Sequence, residues 1–455
     1  MNETHARSVL SGSADSITQS ALRKATWRLI PLIALGYGCA YMDRINISFA
    51  SLQMNRDLHF SSTVYGFGAG LFFLSYAVCE VPSNLLLYRF GARRWLSRIM
   101  ITWGVIAMGM IFVRTPWQFY VARFLLGVAE AGFFPGIVFY LMQWFPADLR
   151  ARTVTRFYIS LPLSSAVMGV VAGALLNLQG HLHMAGWQWL FLVEALPAVL
   201  LGIAFFVLLP DGPATATWLT EPERQSILAA VARDSAPRHS ADDSIGPALR
   251  DRRVWLLGVF MCCMLASNYA CTFSAPAILQ QATGLNTSRV GFIITVIGLL
   301  AAAAMLWNGR LSDRTGERHG KVIPQCLLMS AGFLLCGLSH SAVFVTAGIA
   351  AVTVGYTAMQ GPLFAIPSTF LTGKSAAAGI AAMNTIAITG GFIGPYWMGY
   401  ARDLTGAYQF GLLIMVVPML IAAAIMLYLS RRAVHARQPA VIPMTMSDAL
   451  ESPNL

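Results

Sequence analysis

Long apolar runs follow one another along almost the whole chain, and no other feature limits its fold as strongly. Twelve can be drawn, near 28–52, 63–87, 95–113, 117–140, 153–178, 187–209, 254–279, 289–308, 322–340, 342–366, 376–400 and 408–430. A bilayer core about 30 Å thick takes about 20 apolar residues of helix, so each run is long enough to span. The runs are continuously apolar instead of alternating, and backbone groups in lipid must pair within their own segment. Helices are therefore expected and a β-barrel is not. Charged residues make up only 11% of the chain, against about 25% in an ordinary soluble domain, so a water-facing surface cannot be assembled from it. The expected fold class is an all-α membrane protein of twelve transmembrane helices. The first 27 residues are polar and show no short apolar stretch ahead of a small-residue cleavage site, so the first span is expected to serve as the insertion signal.

The formal charge of +11 would suggest nucleic acid if it lay on one solvated face, but its distribution follows the loops. With alternate loops assigned to opposite sides, Arg56, Arg114, Arg289 and Arg402 fall on one side and Arg44 and Arg123 within spans. Every other Lys and Arg falls on the side of the two termini. The positive-inside rule then places both termini in the cytoplasm, which requires an even number of spans. The polar stretch from 210 to 253, with Pro210, Pro213, Pro222, Pro237 and Pro247, reads as a cytoplasmic linker. It divides the chain into a tail (1–27), a six-helix half (28–209), the linker, a second six-helix half (254–430) and a tail (431–455). A local pattern recurs: Tyr88 to Arg94 follows the second span, and Gly309 to Arg318 follows the eighth. Short Gly- and Arg-bearing loops of this kind can hold two helices together, or can simply anchor them by charge. Paired six-helix halves are what a carrier needs to rock about a central site.

Ionisable groups inside apolar spans cost several kcal/mol unless paired or wetted, so they are the leading functional candidates. Tyr41, Arg44 and Ser48 share one helical face, with Asp43 adjacent to Arg44. Arg123 and Glu130 stand seven residues apart on the fourth span, and Tyr76 and Glu80 four apart on the second. Glu194 lies mid-way along the sixth span, and Asn384 and Thr385 in the eleventh. A carboxylate in a low-dielectric cavity calls for a cation, and Arg offers paired donors in a planar fork, which points to Arg44. Coupling to protons calls for carboxyls whose surroundings change with the access state; Asp43 and Glu130 fit. Arg44, Asp43 and Glu130 are accordingly expected to face one watery chamber. Against these readings, Asp43 and Arg44 could anchor a helix end, and Arg123 could snorkel to the membrane surface. Glu80 and Glu194 read as structural polar contacts. All eight His fall in tails, loops or span ends, and the seven Cys lie in apolar runs without CxxC spacing. No metal site or other cofactor is indicated, and protons are the expected coupling ion.

The stretches Tyr41 to Ser48 (YMDRINIS), Glu80 to Asn84 (EVPSN), Arg123 to Gly136 (RFLLGVAEAGFFPG) and Gly186 to Phe191 (GWQWLF) resemble the major facilitator superfamily. Within it they are similar to the anion:cation symporters of organic acids, over nearly the whole chain. Gly309 to Arg318 looks like the full loop signature of the superfamily, while Tyr88 to Arg94 lacks its Asp. The resemblance implies a carboxylate cargo such as a sugar acid, tartrate or an aromatic acid, and a multi-pass protein of a bacterial inner membrane working as a monomer. It implies that Tyr41, Tyr76 and Asn384 help to hold substrate, and that Arg123, Asp313 and Arg314 belong to a charge network that gates access. The expected function is import of a small organic carboxylate by proton symport with alternating access. An exchanger or uniporter on the same scaffold is the alternative. A non-transporting membrane sensor is disfavoured by the intramembrane charges and the lack of a sizeable soluble domain, and an enzyme by the absence of nucleophile, phosphate-loop or His/Cys cluster.

Overall fold

The computed structural model describes residues 3–146, 149, 153, 157–235, 250–371 and 373–435, and every regular element among them is helical. The first half contains α1 (Glu3–Asp57), α2 (Ser62–Phe90), α3 (Ala92–Gly109), α4 (Pro116–Glu130), α5 (Phe133–Met142), α6 (Ser160–Leu176) and α7 (Gly186–Leu208). After α8 (Glu221–Ser235) come α9 (Arg252–Thr283), α10 (Thr287–Thr315), α11 (His319–Leu338) and α12 (Ala342–Phe364). The last elements are α13 (Gly373–Thr405), α14 (Gln409–Ile414) and α15 (Val416–His435). Among the described residues, ten segments are long and apolar enough to cross a membrane, with α4–α5 counted as one and α14–α15 as another. The apolar α6 is shorter, and α1 carries the charged pair Asp43–Arg44 within its apolar stretch.

Local chemistry fixes the helix ends. Thr115 and Gln118 form a reciprocal capping box with Pro116 at the first turn of α4. Asp251 and Asn286 cap α9 and α10, and these helices stop at Gly284 (φ 67°) and Gly316 (φ 66°), both left-handed. The fourth expected span is broken: α4 ends at Glu130, and Gly132 turns the chain at φ 84° before α5. A Cβ at Gly132 would lie 2.4 Å from the Ser83 hydroxyl, so the break needs glycine. That hydroxyl also donates to the freed carbonyl of Ala131 at 2.6 Å, which satisfies the broken ladder.

Two regions differ from the sequence expectation. Residues expected to form a polar tail continue α1 as helix, because Ala21 and Ala25 are fully buried and the linker packs there as α8. Lys24 pairs with Glu223 at 2.7 Å, and Ser20 donates to the same carboxylate. Glu223 also accepts from the Thr220 amide at the start of α8, and the Arg28 guanidinium lies 5.2 Å from the centre of the Trp218 ring. Charge and proline hid this helix in what reads as a linker. Residues 236–249 of that linker and 436–455 of the last tail lie outside the described residues.

Two buried cores result. One gathers residues from Ala21 to Ile227 and borrows Tyr269, Phe273 and Ile388; the other runs from Val254 to Leu429. The halves meet closely at the end opposite the termini. There the backbones of Gly169 and Gly291 approach so nearly that a Cβ on Gly291 would sit 2.0 Å from the Gly169 carbonyl. Asn177 donates to Ser288 at 2.8 Å and Tyr65 to the Phe273 carbonyl at 2.9 Å. Asp403 of α13 accepts the backbone N–H groups of Ser62 (3.0 Å) and Thr63 (2.7 Å), so one half caps a helix of the other.

Candidate functional site

A central cavity opens between the two halves, leaving about 200 Å³ for the centres of water-sized molecules, room for a small solute. The first half contributes Tyr41, Arg44, Ser48, Tyr76, Glu80 and Glu130 to its wall. The second contributes neutral groups, among them Asn268, Tyr269, Tyr356, Gln360 and Asn384. The three- and four-residue spacing of Tyr41, Arg44 and Ser48 does deliver one face to this space.

Arg44 is the centre of the wall. Its guanidinium forms an ion pair with Glu130 and sits 5.2 Å from the Phe72 ring centre, 5.6 Å from Tyr76 and 6.0 Å from Phe73. These ring faces hold the cation where water cannot solvate it fully. Its Nε has no acceptor, and the second oxygen of Glu130 has no donor. Across the cavity, the amide nitrogen of the buried Asn268 is also unpaired. Each of these atoms is itself buried, and a buried donor or acceptor left unpaired costs energy. The helix break explains the placing of Glu130: as the last residue of α4 it stands at a negative helix terminus, and Arg44 offsets that field.

Asp43 does not face this chamber, which corrects the expectation that it shares it with Arg44 and Glu130. One residue along α1 is a turn of about 100°, which carries Asp43 into the interior of its own half at 2% exposure. There it accepts from Asn46 at 3.3 Å. Arg123 is wholly buried, so the snorkelling alternative fails. It donates to the Gly68 and Ala69 carbonyls, both at 3.4 Å, and stacks 5.1 Å from Phe72. Asn384, expected on the substrate, donates to both oxygens of Glu80 at 3.1 Å and joins the two halves. Asp313 and Arg314 are exposed at the end of α10, with no hydrogen bond or ion pair among the described residues. In that loop Arg318 donates to the Ala365 carbonyl instead. In the Tyr88 to Arg94 copy, which lacks that Asp, Asp211 accepts from the Arg93 amide at 3.3 Å.

Sequence reasoning took Glu80 and Glu194 as structural polar contacts; Glu80 is one, through Asn384, and also lines the cavity, while Glu194 is buried with neither oxygen paired. That reasoning passed over the neutral wall of the second half, because Asn268 and Gln360 differ in no local pattern from packing amides.

A fold of paired helical halves around a charged central cavity is that of a membrane carrier, and the comparisons agree. The family model of the Major Facilitator Superfamily matches residues 33–395, and the chain belongs to that family. A protein of Agrobacterium vitis named "Putative tartrate transporter" is 45% identical over 415 residues, 91% of this chain and 92% of that one. The Escherichia coli (strain K12) "Inner membrane transport protein RhmT" is 33% identical over 414 residues, covering 90% and 95% respectively. Among solved structures, a bacterial homologue of the human lysosomal transporter Spinster superposes with a TM-score of 0.73. At 16% identity, over 92% of this chain and 99% of that one, the likeness is one of fold. The protein is a multi-pass inner-membrane transporter and not an enzyme.

Proposed function

We propose that the protein imports a small organic carboxylate by proton symport, with alternating access to the central cavity. The observation that carries this reading is Arg44, a caged cation in a solute-sized cavity with one donor unpaired and its charge matched by Glu130. The naming of the Agrobacterium vitis relative for tartrate supports an organic-acid cargo. The scheme is a competition. In the empty carrier Glu130 occupies Arg44; a proton on Glu130 removes that partner and leaves the guanidinium to an incoming carboxylate. Proton and anion thereby favour each other's binding. Inward flow gains about 2.3 kcal/mol per 100 mV for each net positive charge carried to a negative interior.

The same reading covers the architecture. We take α1 and α6 with the ten longer segments as twelve spans in two six-helix halves, 28–209 and 254–430, with both termini cytoplasmic. The seam opposite the termini is then the closed outer side, and the cavity faces the cytoplasm. A thermal-shift screen of the purified protein against hydroxy, sugar and aromatic acids tests the assignment, because a ligand bound only to the folded state raises Tm. The binder found should lose its effect in Arg44→Ala; an unchanged affinity in that variant rejects the site.

A further inference from the structure

Behind the cavity wall, three polar side chains are sealed inside the first half. Asp43 and Asn46 on α1 and Glu194 on α7 are 2%, 0% and 5% exposed, and none lines the cavity. The Glu194 carboxyl faces Asp43 and Asn46. Asn46 donates one hydrogen bond to Asp43. The Asn46 carbonyl oxygen, the other Asp43 oxygen and both Glu194 oxygens have no partner. The charged groups around this cluster are Arg44 of α1, which is paired with Glu130, and Arg123 and Glu130 of α4, with the Cys39 thiol of α1 also near; Arg123 spends donors on two backbone carbonyls.

An amide has one donor edge and one acceptor edge. Set between two carboxyls, its two N–H groups can serve both, but its carbonyl oxygen gains a donor only if one of the carboxyls carries a proton, since a carboxylate cannot donate. Two bare carboxylates here would leave that oxygen orphaned and two like charges dry and adjacent. One proton removes both costs. A half-turn of the amide exchanges which carboxyl bears it, so the proton belongs to the pair rather than to either residue.

We infer that Asp43, Asn46 and Glu194 hold one transported proton as a single unit, with Glu194 a proton-carrying residue separated from the anion. This deepens the proton-symport reading and rests on it. In proteoliposomes, the reversal potential of uptake gives the ratio of protons to anions. Glu194→Gln supplies a fixed donor and acceptor in place of the titrating group and lowers that ratio by about one, while thermal stabilisation by the anion persists. A ratio equal to that of the wild type overturns the inference. Wild-type uptake indifferent to a proton gradient instead sinks the symport reading itself. Should Glu194→Gln fail to insert, infrared spectra of the wild type decide. They should carry the carbonyl stretch of a protonated carboxyl that moves in Asn46→Ser, and a spectrum without that band, or one unmoved by Asn46→Ser, overturns the proposal.

Discussion

Arg44 and Glu130 each complete the other, and that reciprocity sets what their variants do. Arg44→Ala leaves Glu130 buried and unpaired; breaking a buried pair costs about 3–5 kcal/mol, and less here because Arg44 is partly wetted. Loss of Tm should therefore accompany loss of anion binding, and Arg44→Ala/Glu130→Gln should recover stability without recovering affinity. Glu130→Gln alone should keep measurable counterflow and lose proton-driven accumulation; normal uphill uptake by it would remove Glu130 from the coupling scheme. The Arg44 face was readable from spacing, because helical periodicity needs no knowledge of neighbours. Arg123 and Glu130 show the limit of that method. Seven residues place them on one face, yet two turns apart that face meets backbone carbonyls in one place and the cavity in the other.

At the scale of elements, the linker helix α8 docks on the N-terminal extension of α1 through Glu223. The Lys24 ammonium holds the Glu223 carboxyl well below its ordinary value of 4.5, at about 2. A depressed pKa stabilises the docked state fully above 4.5, and the contribution is lost as pH falls from 4.5 toward 2. Amide exchange across residues 221–235, corrected for its intrinsic pH dependence, should quicken over that interval in the wild type. Lys24→Met should flatten the profile; an unchanged profile would show that the pair does not hold α8. Neither α8 nor the break at Gly132 was legible in the sequence. A charged, proline-marked stretch reads as loop until a partner surface is known, and one glycine among Gly127, Gly132 and Gly136 announces no particular turn.

For the whole molecule, one of the joints between the two halves is the capping of α2 by Asp403. Its two charge-assisted bonds, at 3.0 and 2.7 Å, would have to break for that side to open in the alternating access proposed above. Asp403→Asn weakens them and should shift the resting population toward the opposite access state. Spin labels at the two helix ends should then report a longer distance, and an unmoved distribution would show that the glycine seam alone keeps this side shut.

The buried charge is unequally shared. Asp43, Arg123, Glu130 and Glu194 all belong to the first half, as does the partly exposed Arg44, whereas the second lines the cavity with amides, hydroxyls and rings. Changes at Asn268, Gln360 or Tyr356 would therefore reshape the wall of the cavity without touching any of these charges.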